Sequence, residues 1–249
     1  MRRWQSNGPA RGVIQIAHGM GEHSGRYSEL IAALQEAGLV VYANDHRGHG
    51  RTAGSPDHFG DFRKGGFDLL VDDMYELSRV AKRENPDKRF ILFGHSMGSF
   101  AAQQYILDHS DFIDGLALSG SGILDGVAKR AISVSPANPN FLNARFEPAR
   151  TPFDWLSRDP GVADAFMNDP LCFAALQHLQ HLSWELPRGW LTRMPFPKYG
   201  PICRSTFFQA VKTPSAWNWM VFAASSSATI RRACAISPTI FMKADGTKC

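Results

Sequence analysis

Short apolar runs alternate along the chain with longer stretches in which apolar residues recur every three or four positions. "GVIQIAHG" (Gly12–Gly19) has a buried-strand pattern ending in glycine. "RYSELIAALQEAG" follows, with Leu30, Ile31, Ala33 and Leu34 at helical spacing and Gly38 as its stop. "LVVYANDHRGHG" predicts a second strand and a loop. Asp68–Asn85 predicts an amphipathic helix that ends before Pro86. "RFILFG" reads as a strand, "MGSFAAQQYILDH" as a helix and "IDGLALSGSG" as a further strand. This alternation predicts a mostly parallel sheet with helices on both faces.

From Ile123 to about Leu186 the rhythm changes. "SVSPANPN", "FEPARTPFDWLSRDPGVADAF" and "NDPLCFAALQHLQHL" predict loops and short helices, as in a helical cap inserted over a site. Past Trp190 the alternation is lost and no strand is legible. The expected organisation is a first core part at 1–122, a cap region at 123–188 and an aberrant tail at 189–249.

Composition narrows the class. Hydrophobic residues make up 44% and charged residues 20%, as in a soluble globular protein. No run approaches a membrane span, and the start lacks the apolar segment of a signal peptide, so a cytoplasmic location is expected. Cys172, Cys203, Cys234 and Cys249 show no metal-ligand spacing, and neither metal nor cofactor is expected. The net charge of +4 is uneven: after His181 there are nine Lys/Arg and two acids, Glu185 and Asp245. These cations are scattered among Trp, Phe, Pro and Ser and make no stripe, so no nucleic-acid partner is expected.

The chemistry centres on Gly94-His95-Ser96-Met97-Gly98, a G-x-S-x-G between a predicted strand and a predicted helix. Its glycines permit a tight turn that exposes Ser96 as a nucleophile, and the helix start aims N–H groups at the site. His18-Gly19-Met20-Gly21 ends the first strand, where such a fold supplies its second oxyanion donor. The expected oxyanion hole is the backbone N–H of Met20 and of Met97. His18 reads as a structural hydrogen bonder, Asp45 as a loop anchor, and His95 as turned away from substrate. Asp72 and Asp73 read as solvated or capping groups on a helix.

"HGMGEHSGRY" (His18–Tyr27), "NDHRGHGRT" (Asn44–Thr52) and "GHSMGS" (Gly94–Ser99) together resemble the monoacylglycerol lipase and lysophospholipase group of α/β-hydrolases. "DWLSRDP" (Asp154–Pro160) and "NDPLC" (Asn168–Cys172) are similar to that group's cap. The resemblance runs from about Trp4 to about Gly189. It implies an α/β-hydrolase fold, a single-chain lipid ester as substrate, transient contact with a membrane surface, and no cofactor. It also implies further strands upstream of "RRWQ", so the N-terminal side of the sheet is expected to be short.

The same group places the triad acid and histidine downstream of the serine. Here all nine histidines lie at or before His181, and the expected G-S-x-D-P-V-G and G-x-x-H-E stretches are absent. His178 and His181, at i and i+3, share a face of a possible cap helix, where two histidines more often face solvent or pack locally than replace the missing base. A serine without its base is a weak nucleophile at neutral pH. The last strands and helix of the fold are therefore expected to be missing or replaced.

The genetic code offers a reason. Codons for Phe208–Trp217 can be chosen so that reading from the third base gives Pro-Gly-Ser-Glu-Asp-Pro-Val-Gly-Leu. Codons for Ile240–Cys249, read in that frame, can give Ile-Tyr-Glu-Gly-Gly-Arg-His-Glu-Met. The frame also allows a strand, "NLPVYLL", before the acid. The two missing loops thus recur in one frame and in order, so the region from about Gly189 reads as a frameshifted translation. The parent is then a serine ester hydrolase, while this chain is expected to be inactive or nearly so. The alternative from the residues is a non-catalytic pseudo-hydrolase that binds a lipid or protein partner.

Overall fold

The computed structural model describes residues 1–121 and 142–174, together with the backbone of 210–211 and 220–223. His178 and His181, and most of the tail, lie outside the described residues.

Four strands carry the predicted core: β2 (Gly12–Ala17), β3 (Leu39–Ala43), β4 (Phe90–His95) and β5 (Gly115–Ser119). They run parallel in the order β3-β2-β4-β5. The connecting helices are α1 (Ser28–Glu36), α2 (Gly66–Glu84) and α3 (Met97–His109). A fourth helix, α4 (Pro160–Met167), lies in the cap region and is N-capped by the Asp159 carboxylate on the Gly161 N–H.

Period-two alternation assigns the strand side chains to two cores. Val13, Ala17, Val40, Tyr42, Phe90, Leu92, Leu116 and Leu118 face α2 and α3. Ile14, Ile16, Val41, Ala43, Phe93 and Ala117 face the other way, where Ile31 of α1 covers them. Helix α2 answers with Leu70, Val71, Met74, Leu77 and Ala81, one stripe at helical spacing. Gln15 interrupts the apolar pattern of β2 but is fully paired. Its amide donates to the Met74 carbonyl at 2.9 Å and its carbonyl accepts the Ser78 hydroxyl at 2.8 Å.

Two features of the sheet differ from the sequence reading. Arg2–Trp4 forms an antiparallel edge strand, β1, on β3. Beyond β5 the sheet continues with backbone drawn from the tail: β7 (Met220–Ala223) pairs antiparallel with β5, and β6 (Ala210–Val211) pairs antiparallel with β7. A strand of three residues and a pairing that reaches 100 positions along the chain leave no periodicity for a sequence window to detect.

The chain leaves β2 toward β3 on one side, whereas β4 lies on the other side of β2. The crevice at the carboxyl ends of β2 and β4 is therefore the topological switch point, where open α/β sheets bind their ligands. Ala17 and Gly94 are register partners there, so the loop from His18 and the turn at Ser96 leave the sheet side by side. Among the described residues no helix is long and apolar enough to cross a membrane.

Candidate active site

Ser96 occupies the one-residue joint between β4 and α3 at φ 48°, ψ −116°. This is unfavourable for a residue with a Cβ and needs support from its surroundings. The support is visible. Ser96 N–H donates to the Ser119 carbonyl at 2.9 Å, and the Ser96 carbonyl accepts the Ser99 hydroxyl at 2.6 Å. Two glycines make the turn sterically feasible. A Cβ on Gly94 would come within 2.4 Å of the Gly98 carbonyl oxygen, and one on Gly98 within 2.2 Å of the Ala17 carbonyl oxygen. Only bare Cα atoms let α3 start this close to β2.

Met97 opens α3, so its N–H has no acceptor within the helix. Met20 lies in the turn after β2, and its N–H has no acceptor among the described residues. The intervening Gly19 touches the serine: a Cβ there would lie 3.3 Å from Ser96 Cβ. The structure thus brings Ser96, the Met20 loop and the first turn of α3 to one place.

Histidine roles follow from their bonds. His95 Nδ1 contacts the Ser119 hydroxyl at 3.1 Å, on the sheet side of the turn. Burial is the main reason its pKa is lowered. His18, His46 and His49 form a buried group, with His18 ring centroids 4.2 Å from His46 and 5.4 Å from His49. Burial, reinforced by mutual repulsion, holds His18 well below its ordinary pKa and pushes His46 down to about 3. Burial likewise lowers His49 to about 4. Among the described residues no imidazole is hydrogen-bonded to the Ser96 hydroxyl.

Asp45 anchors its loop. Its Oδ1 accepts the Ser24 N–H at 2.9 Å and the Ser24 hydroxyl at 2.6 Å, and its Oδ2 accepts the Arg51 N–H at 3.0 Å. Those bonds outweigh the cost of burial and lower its pKa. Asp73 goes beyond the sequence reading. It is partly solvated on its helix face and also takes a two-pronged bond from Arg47, both contacts at 2.9 Å. Such a partner 26 residues away is invisible to local pattern.

Glu22 and Asp169 were not singled out by sequence reasoning, although both lie inside the quoted motifs. Glu22 Oε1 accepts the Gly19 N–H and the Tyr27 hydroxyl, each at 2.6 Å. Asp169, in the cap region, accepts from His23 Nε2 at 2.8 Å. Phe173, four residues on, extends this tie: its N–H donates to the Gly21 carbonyl at 2.9 Å, and its ring stacks on Phe59 at 5.0 Å.

A family model described as serine aminopeptidase, S33, matches residues 8–181. The chain belongs to this family. Over 178 residues it is 34% identical to a monoacylglycerol lipase of Mycolicibacterium smegmatis, an alignment covering 68% of this chain and 59% of that protein. Against the monoglyceride lipase of Mus musculus it is 30% identical over 179 residues, covering 71% and 57%. It therefore spans less than two thirds of the length of these relatives. A highly thermostable carboxyl esterase from Bacillus coagulans, solved in complex with glycerol, superposes with a TM-score of 0.61 at 30% identity, covering 72% of this chain and 66% of that one. A lipase solved in an open form gives 0.55 at 28%, again covering 72% and 66%. The S33 fold here is accordingly an α/β-hydrolase of the monoacylglycerol lipase group.

Among the described residues of this S33 chain one cluster has metal-ligating residue types: ligand atoms of His23, Asp169 and Cys172 all lie within 4.8 Å of one another. The imidazole argues against a metal. Its Nδ1 accepts the Gly25 N–H at 3.1 Å, so its proton sits on Nε2, the atom a metal would need bare. Burial also pushes the Cys172 thiol up to about 12, away from the thiolate that binds metals. The cluster fits a hydrogen-bonded tie between cap and core.

Proposed function

We propose that the parent of this chain is a serine hydrolase of carboxylic esters, acting on monoacylglycerols or lysophospholipids. The observation that carries this reading is Ser96, held at a positive-φ turn on the switch point beside two N–H groups that have no acceptor among the described residues. The names of the relatives support the substrate class.

In this reading Ser96 Oγ attacks the acyl carbonyl carbon. The carbonyl oxygen becomes negative and accepts from the Met20 and Met97 N–H groups. A histidine takes the serine proton and returns it to the departing glycerol oxygen as the C–O bond breaks. Water then enters by the same steps and releases the fatty acid. The histidine and its acid come from the shifted frame beyond about Gly189, and this chain lacks them. The chain is inactive or nearly so, because the oxyanion hole and binding alone retain only about 10³–10⁴-fold over water in a protease stripped of its triad.

The test is to express this chain beside a version carrying a one-base correction between the codons for Leu182 and Met194. The corrected protein should hydrolyse a monoacylglycerol, lose that activity on Ser96→Ala, and exceed this chain by about 10⁴-fold or more. Equal rates from the two proteins would sink the reading.

A further inference from the structure

His18 is fully buried, and both its ring nitrogens are engaged. The backbone N–H of His46 donates to Nε2 at 2.9 Å, so Nε2 carries no proton. The neutral ring therefore holds its proton on Nδ1, which lies 2.7 Å from the Gly19 carbonyl oxygen and donates to it. That carbonyl and the Met20 N–H belong to one peptide unit. In a trans peptide the two point in opposite directions within one plane. Fixing the Gly19 oxygen toward His18 turns the Met20 N–H away from it. The preceding peptide is held as well, because Gly19 N–H donates to Glu22 Oε1 at 2.6 Å. Side chains thus clamp both peptides flanking Gly19, and the Met20 N–H is left without an acceptor among the described residues.

We propose that His18 is a positioning residue: its Nδ1–H, locked in place by the His46 backbone, sets the direction of the Met20 amide. This rests on the reading of Met20 as an oxyanion donor. It assigns work to a buried histidine that neither attacks substrate nor moves its proton. His46 belongs to the same device, because its loop selects the tautomer of His18 from 28 residues away.

The test needs no turnover. This chain, labelled with ¹⁵N-methionine, gives one amide signal for each of the seven methionines after Met1, and Met20→Leu assigns the one that matters. His18→Ala should displace the Met20 signal, while the Met97 signal stays. His18→Asn places an amide donor near the Nδ1 position and should keep the Met20 signal near that of the unaltered chain. An unmoved Met20 signal in His18→Ala, or equal displacement in both variants, overturns the proposal. If His18→Ala does not fold, His18→Gln replaces it, since its amide reaches the Nε2 position instead; equal Met20 signals in the Gln and Asn variants then overturn it. Failure of the corrected protein to depend on Ser96 would remove the functional reading and leave this positional result standing.

Discussion

The Cα of Gly98 faces the carbonyl oxygen of Ala17 so closely that a methyl group there would lie 2.2 Å from it. The first turn of α3 and the end of β2 are in backbone contact, and neither can yield without shifting a central element. Gly98→Ala should therefore destabilise the fold by about 3 kcal/mol or more, at the upper end of overpacking effects. Urea unfolding followed by circular dichroism would measure it, and a midpoint equal to that of the unaltered chain would contradict the close approach.

Asp45 gives a second stability test. Its carboxylate satisfies three donors from two segments. Asp45→Ala leaves the buried N–H and hydroxyl of Ser24 and the N–H of Arg51 without their acceptor, a loss of about 3 kcal/mol. Asp45→Asn keeps one acceptor and should cost less. Denaturant midpoints of the two variants should fall in that order.

The buried histidines make stability fall with pH. His46 and His49 titrate at about 3 and about 4 in the fold, against about 6.5 when unfolded. Between about pH 6.5 and 4 the unfolded chain binds protons that the fold refuses, so each histidine removes about 1.4 kcal/mol per pH unit as pH drops. Above pH 6.5 both states are neutral and this dependence vanishes. Unfolding free energies measured from pH 7.5 to 4.5 should be flat and then fall, and His46→Phe or His49→Phe should flatten the slope.

Asp169 ties the segment after α4 to the loop after β2 through His23. The carboxylate is partly exposed, which limits the global contribution of the pair. Asp169→Ala should leave the melt within about 1 kcal/mol of the original. It should nevertheless speed hydrogen exchange at the Phe173 amide, whose bond to Gly21 the same turn presents. Unchanged exchange at that amide would show that Asp169 does not hold the turn.

Much of this was legible from residues close together in sequence. The alternation of β2 to β5 and the stripe of α2 are local patterns, and α3 starts and ends where Met97 and His109 were read. The G-x-S-x-G turn is local too, because its glycines are needed within two residues of Ser96. What escaped joins distant segments. Asp169 and His23 are 146 positions apart, and Asp73 finds Arg47 only because α2 packs beside the loop after β3. The β1 and β7 pairings depend on which sheet edges are left open, a property of the folded whole.

The strand Met220–Ala223 pairs with β5 through main-chain groups, and every amino acid but proline carries the same N–H and C=O pair. Closing a sheet edge is thus a task almost any extended segment can perform, whatever its side chains spell. Catalysis has no such tolerance, since an imidazole must arrive at one atom. An edge strand can therefore survive wide changes of sequence, any one of which at a catalytic position would end the chemistry.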